Sequence, residues 1–132
     1  VKKTFFSVLI LMILIVVVLS FYSSKEQRIF KGDSVNWEAQ LSYTNASGGI
    51  TRELLRVTYK KKERIDGYIG YELKRIGGSM SGEDMKLDSN NHAIKKTETQ
   101  GSFAVPPRDQ SIILTIKVDG QTETIELKPI QP

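Results

Sequence analysis

The hydrophobic pattern of the chain changes period once, and that change divides it in two. Residues Phe5 to Tyr22 read FFSVLILMILIVVVLSFY, uncharged and interrupted only by Ser7 and Ser20. Fourteen of these 18 residues are Leu, Ile, Val or Phe. As a helix the run would rise about 27 Å, against roughly 30 Å for the hydrocarbon core of a bilayer. Its apolar side chains favour insertion by about 4 kcal/mol at the low end of the transfer scale. The run therefore predicts one N-terminal transmembrane helix. A helix buried in a globular core is the weaker reading at this length and polarity.

Beyond it the period is two. Val35, Trp37, Ala39, Leu41 and Tyr43 alternate with Asn36, Glu38, Gln40 and Ser42, the pattern of a half-buried strand. Turn chemistry follows at Asn45-Ala46-Ser47-Gly48-Gly49. A second strand is predicted over Thr51 to Lys60, with Leu55, Val57 and Tyr59 inward. After Asp66-Gly67 a third runs from Tyr68 to Arg75, with Ile69, Tyr71 and Leu73 inward. Ile76 to Asp84, rich in Gly and Ser, reads as a mobile loop. Short strands are expected at Met85 to Leu87, Ala93 to Lys95 and Ser102 to Val105, the last stopped by Pro106-Pro107. Ser111 to Val118 and Gln121 to Lys128 flank Asp119-Gly120, a two-residue loop suited to a type I′ hairpin. With Val118 opposite Gln121, Leu114 faces Ile125, Ile112 faces Leu127, and Glu123 sits opposite Ile116 nearer the exposed end. A one-residue slip would turn Ile125 and Leu127 to the other face, so the pattern specifies this pairing.

Short strands at close spacing predict an all-β domain, a small antiparallel β-sandwich of immunoglobulin-like architecture. A small barrel carries the same alternation. The expected organisation is a cytoplasmic n-region over 1–4, the anchor or a signal peptide over 5–22, a linker over 23–31 and the extracytoplasmic domain over 32–132. Lys2 and Lys3 precede the apolar run, which by the positive-inside bias keeps the N-terminus in the cytoplasm and the domain outside; Lys25 and Arg28 weaken that bias. A cleavable signal peptide begins the same way, but its apolar region is usually 7–15 residues, and small residues at both −3 and −1 are hard to find here. The expected localisation is thus a single-pass cell-membrane protein, or a secreted one if the segment is cleaved.

Charge adds little. The formal net charge of +4 falls to +2 once Lys2 and Lys3 are set aside from the 19 basic residues against 15 acidic ones. The charges are interspersed, which is not a nucleic-acid-binding balance. The absence of cysteine excludes disulfides, thiol nucleophiles, cysteine metal sites and a lipobox. The domain must then be held by its core, which about 100 residues can supply with modest margin.

Candidate chemistry is sparse. His92, the single histidine, lies in a polar turn with no nucleophile or orienting acid beside it. Glu83, Asp84, Asp88, Asn90 and Asn91 gather oxygen ligands, but not at EF-hand spacing, and such residues serve turns for their own backbone reasons. The Gly77 to Gly82 stretch lacks a phosphate-loop ending. Glu53, Glu63 and Glu72 are expected on solvated strand faces and make no glycosidase pair. The one dense basic run, Lys60, Lys61, Lys62 and Arg64, is a candidate contact for anionic lipid or wall polymer, against the commoner reading of charged residues guarding a strand end. Trp37 falls in phase with the core. No cofactor or metal is expected.

The run Phe30-Lys31-Gly32-Asp33-Ser34-Val35-Asn36-Trp37, followed by an alternating strand and closed by the Ile112 to Leu127 hairpin, resembles small exported or membrane-anchored β-domain proteins of Gram-positive bacilli that open on Gly-x-Ser-x-Asn-Trp. The resemblance covers most of Phe30 to Lys128. It implies surface location and a sandwich-like fold, and carries over no catalytic residue. The functional expectation is a membrane-anchored binding or interaction module of the cell envelope, in contact with lipid through 5–22 and with an envelope protein or polymer through its domain, and not an enzyme. The alternative is an accessory subunit held in a membrane complex by its anchor helix.

Overall fold

A computed structural model describes residues 2–23, 27–46, 48–100, 106–107 and 109–130. The chain is mostly antiparallel β after one helix, α1, Lys2–Ser23. The strands are β1 Gln27–Asp33, β2 Trp37–Ala46, β3 Ile50–Tyr59, β4 Tyr68–Arg75, β5 Gly78–Lys86, β6 His92–Gln100, β7 Ile112–Val118 and β8 Gln121–Ile130. They join in a single eight-stranded order, β5-β4-β7-β8-β1-β2-β3-β6, with every neighbouring pair antiparallel.

The two edge strands, β5 and β6, face each other, so the sheet is nearly closed. No backbone ladder crosses this seam among the described residues; side chains do. Lys95 on β6 pairs with Asp84 on β5, and the Thr97 hydroxyl lies 4.0 Å from the Met80 sulfur. The expected immunoglobulin-like sandwich of two packed sheets is not confirmed. Alternation cannot distinguish a sheet rolled on itself from two sheets face to face, because both bury one side of every strand.

Inward residues paired across neighbouring strands fill the interior together. Phe30, Leu41, Tyr43, Leu55, Ile69, Leu73, Ile112, Leu114, Ile125 and Leu127 are among the fully buried side chains. The closing hairpin has the expected register, Val118 opposite Gln121 through Ile112 opposite Leu127. Asp119 and Gly120 have φ of 50° and 76°, the two positive values that a type I′ turn requires.

Three sequence expectations change. β1 occupies most of the stretch read as linker and buries Phe30, which leaves residues 24–26 between helix and domain. The expected mobile loop is β5, shifted in register by a bulge opposite Ile69 and Tyr71. Val35 is not the first core residue of β2: it stands 86% exposed in the β1–β2 turn, and the strand begins at Trp37. The expected strand over Ser102 to Val105 lies outside the described residues.

Because successive strands alternate in direction, the connections sort to two ends. The β1–β2, β3–β4, β5–β6 and β7–β8 connections share one end, here called the mouth. The β2–β3, β4–β5 and β6–β7 connections share the other, the base, where β1 begins and β8 ends. Across the base, Arg75 from β4 donates Nη1 to the Glu53 carboxylate on β3 and to the Tyr43 hydroxyl on β2, the latter at 2.8 Å. Glu53 is 6% exposed, which corrects the expectation of a solvated strand face.

α1 rises about 33 Å over its 22 residues. Among the described residues no helix is long and apolar enough to cross a membrane; the described side chains of α1 end at Val18. Those from Phe5 and Phe6 through Val8 to Val18 are exposed all around the helix.

Candidate functional site

The mouth is built on the Gly-x-Ser-x-Asn-Trp run. Gly32 lies where β1 crosses β8, and a Cβ there would fall 2.2 Å from the Glu126 backbone oxygen, so only glycine permits the approach. Two residues on, the chain turns: Ser34 N–H donates to the Trp37 carbonyl at 2.8 Å. This turn presents Ser34 and Asn36 to Glu123 on β8. The Ser34 hydroxyl donates to Glu123 Oε1 at 2.9 Å, the Asn36 N–H to Oε1 at 3.1 Å, and Asn36 Nδ2 to Oε2 at 2.8 Å. Partial desolvation acts to raise the pKa of Glu123, but the hydrogen bonds from Asn36 and Ser34, with the charge of Lys61, outweigh it and hold the carboxyl below its ordinary range.

Trp37 then enters the core, its ring 4.9 Å from that of Tyr59 on β3. From Tyr59 the β3–β4 connection, residues 60–67, passes over the mouth on its way from β3 to β4. Beneath it lies a cleft of about 440 Å³, within the size range of small-molecule sites. Trp37, Tyr59, Ile65 and Ile116 form its apolar side, and Glu63, Arg64, Asp66, Asp119 and Glu123 its polar rim. The Asn36 Oδ1 atom is buried there and has no hydrogen-bond partner among the described residues.

Lys60, Lys61, Lys62 and Arg64 all lie on this connection and are exposed. They do not act alike. Lys60 is folded back, its Nζ donating to Asp33 at 2.9 Å and to the Ser34 carbonyl at 2.8 Å. Arg64 sits 3.5 Å from Asp66 on the rim of the cleft. Lys61 accepts a hydrogen bond at its carbonyl from Asn91. The run is therefore at the mouth, a strand length of roughly 33 Å from the base, taking the ten residues of β3 at about 3.3 Å each.

His92 opens β6, just past the β5–β6 turn. Its Nδ1 lies 2.8 Å from the Thr58 hydroxyl, and its N–H donates to Asp88 Oδ1. Asp88 also accepts from Asn90 N–H at 2.9 Å, so that carboxylate closes its own turn. These backbone bonds hold its pKa below the ordinary value. Asp84 lies apart, across the seam from Lys95, which lowers its pKa. Among the described residues no group of three His, Cys, Asp or Glu is placed to hold a metal ion.

Sequence reasoning passed over Glu123 as an acceptor. The signal was present in the hairpin register, which put a carboxylate opposite Ile116 nearer the exposed end, and in two short polar residues flanking an exposed valine. No family model, no curated protein and no solved structure matches the chain.

Proposed function

We propose that this chain is a membrane-anchored, extracytoplasmic binding module of the cell envelope, with α1 as anchor and the mouth as the surface that meets a partner. One observation carries the reading: from Phe5 to Val18 the side chains of α1 are apolar but for Ser7 and exposed all around the helix, and the core among the described residues includes none of them. A helix hydrophobic all round is stable in a protein core or in lipid, and among the described residues no core covers this one. The resemblance to exported proteins of Gram-positive bacilli supports the same placement. The nearly closed sheet supports the mouth as the binding end, because clefts at the mouths of β-barrels are common ligand sites. An immunoglobulin-like sandwich is not needed for it.

The basic run supports a partner at the mouth, not the membrane of the anchor. Lys62 and Arg64 stand a strand length from the end at which α1 joins, so an anionic wall polymer or an acidic envelope protein is the fitting class. Protease treatment of intact host cells tests the placement. The reading expects the domain to be shaved from outside while a short N-terminal fragment stays in the membrane. A full-length chain protected in intact cells, or a fragment starting near Phe21 to Lys25 in the medium, would overturn it.

A further inference from the structure

The base of the nearly closed sheet carries apolar side chains that the core does not use. Ile76, at the tip of the β4–β5 turn, is 85% exposed. Ile130, the last residue of β8, is partly exposed and faces Ile29 across the β1–β8 ladder, both on the outer side of the sheet. α1 joins this same end. Only residues 24–26 separate Ser23 from Gln27, a tether that spans at most about 14 Å when fully extended. The mouth is farther away than that: β2 alone runs ten residues, roughly 33 Å.

We propose that the base docks end-on against the bilayer holding α1, with Ile76 reaching into the interface and Ile29 and Ile130 forming the collar above it. This rests on the reading of α1 as a membrane anchor. The occupant is a lipid surface because the short tether keeps the base within reach of it and leaves little room for a protein between them. An isolated isoleucine at a hairpin tip, followed by two glycines, suits a shallow interface: its apolar side chain enters, while the neighbouring Arg75 is turned inward to Glu53 and Tyr43. The exposed Val35 at the mouth would then face away from lipid.

The absence of native cysteine makes the test direct. Ile76→Cys, Val35→Cys and Ile13→Cys variants of the full chain each receive one environment-sensitive fluorophore and are reconstituted in phosphatidylethanolamine–phosphatidylglycerol vesicles. Spin-labelled lipids then quench at headgroup or mid-chain depth. End-on docking expects Ile13 to be quenched by the mid-chain label, and Ile76 by the shallow label several-fold more than Val35. If Ile13 is quenched but Ile76 no more than Val35, docking is wrong and the anchor stands. Equal strong quenching at Ile76 and Val35 means that the domain lies on its side, which also overturns the proposal. An unquenched Ile13 removes the anchor reading and the docking with it.

Discussion

Two inward-leaning carboxylates mark the two ends of the nearly closed sheet, and they are held by opposite means. Glu123 at the mouth is half-buried and receives three hydrogen bonds from neutral donors on one turn. Glu53 at the base is almost wholly buried and answers to a guanidinium that reaches across the interior from β4. Its second oxygen, Oε1, is buried with no hydrogen-bond partner among the described residues. Burial also pushes the pKa of the neighbouring Tyr43 phenol up, with Glu53 adding to the shift and Arg75 opposing it, so that ring stays neutral throughout the ordinary pH range. The mouth thus solves its charge locally, with dipoles, in partial contact with water. The base solves it across the fold, with a countercharge, and is more exposed to the loss of one partner.

Removing that countercharge is the strongest way to break the comparison. Arg75→Met should destabilise the domain by about 3 kcal/mol, the low end for breaking a buried pair, because the Arg75 side chain keeps some contact with water. Urea unfolding followed by the fluorescence of Trp37, the only tryptophan and a buried one, reads this as a lowered midpoint with unchanged slope. A shift below about 0.5 kcal/mol would mean that the pair adds nothing at the base.

The mouth is sharpened by pH. Glu123 has a folded pKa below its ordinary 4.5, so its contribution is complete above that value and is lost as pH falls through the folded pKa. Glu123→Gln should cost about 1 kcal/mol at neutral pH. It should also flatten the acid limb, so that wild type and variant converge once pH has fallen through the folded pKa of Glu123; a difference that persists or grows beyond that point would contradict the assignment. The smallest effect belongs to the charges that no turn uses. Lys62→Ala with Arg64→Ala should leave stability within about 0.5 kcal/mol, while weakening sedimentation with an anionic wall polymer at low salt. Unchanged sedimentation would remove these residues from the partner surface.

What the sequence shows clearly is what alternation can encode. β2, β3, β4 and the last hairpin were legible because their inward residues are large and regularly spaced, as in Leu41 with Tyr43 or Leu114 with Ile116. β1 was not. Its inward set is Arg28, Phe30 and Gly32, of which only Phe30 looks like core, and Gly32 serves a close approach that no pattern reveals. β5 hid for a related reason. Gly82 stands in the inward phase beneath Tyr71, and a Cβ there would fall 3.0 Å from that ring. The bulge then changes the phase before Met85, so the period breaks inside the strand. Glu53 and Arg75 look like surface residues in sequence, since their partnership depends on strands that meet only when the sheet closes. At the mouth, each residue of the Gly-x-Ser-x-Asn-Trp run was visible, but its common target, Glu123, lies 87 positions beyond Asn36.

The alternation of strand direction has a consequence for how such a chain can vary. With eight strands the described domain starts at Gln27 and finishes at Ile130 on the same pole, leaving four connections at the opposite one. Residues in those four connections can lengthen, shorten or change charge without altering where the domain is attached. Glu123, with its donors at Ser34 and Asn36, ties two of them together and sets a limit on that freedom. The 60–67 and β5–β6 connections are tied as well, Lys60 to Asp33 and the Ser34 carbonyl and Asn91 to the Lys61 carbonyl, so new recognition would be grafted between those ties while the attachment pole stays constant.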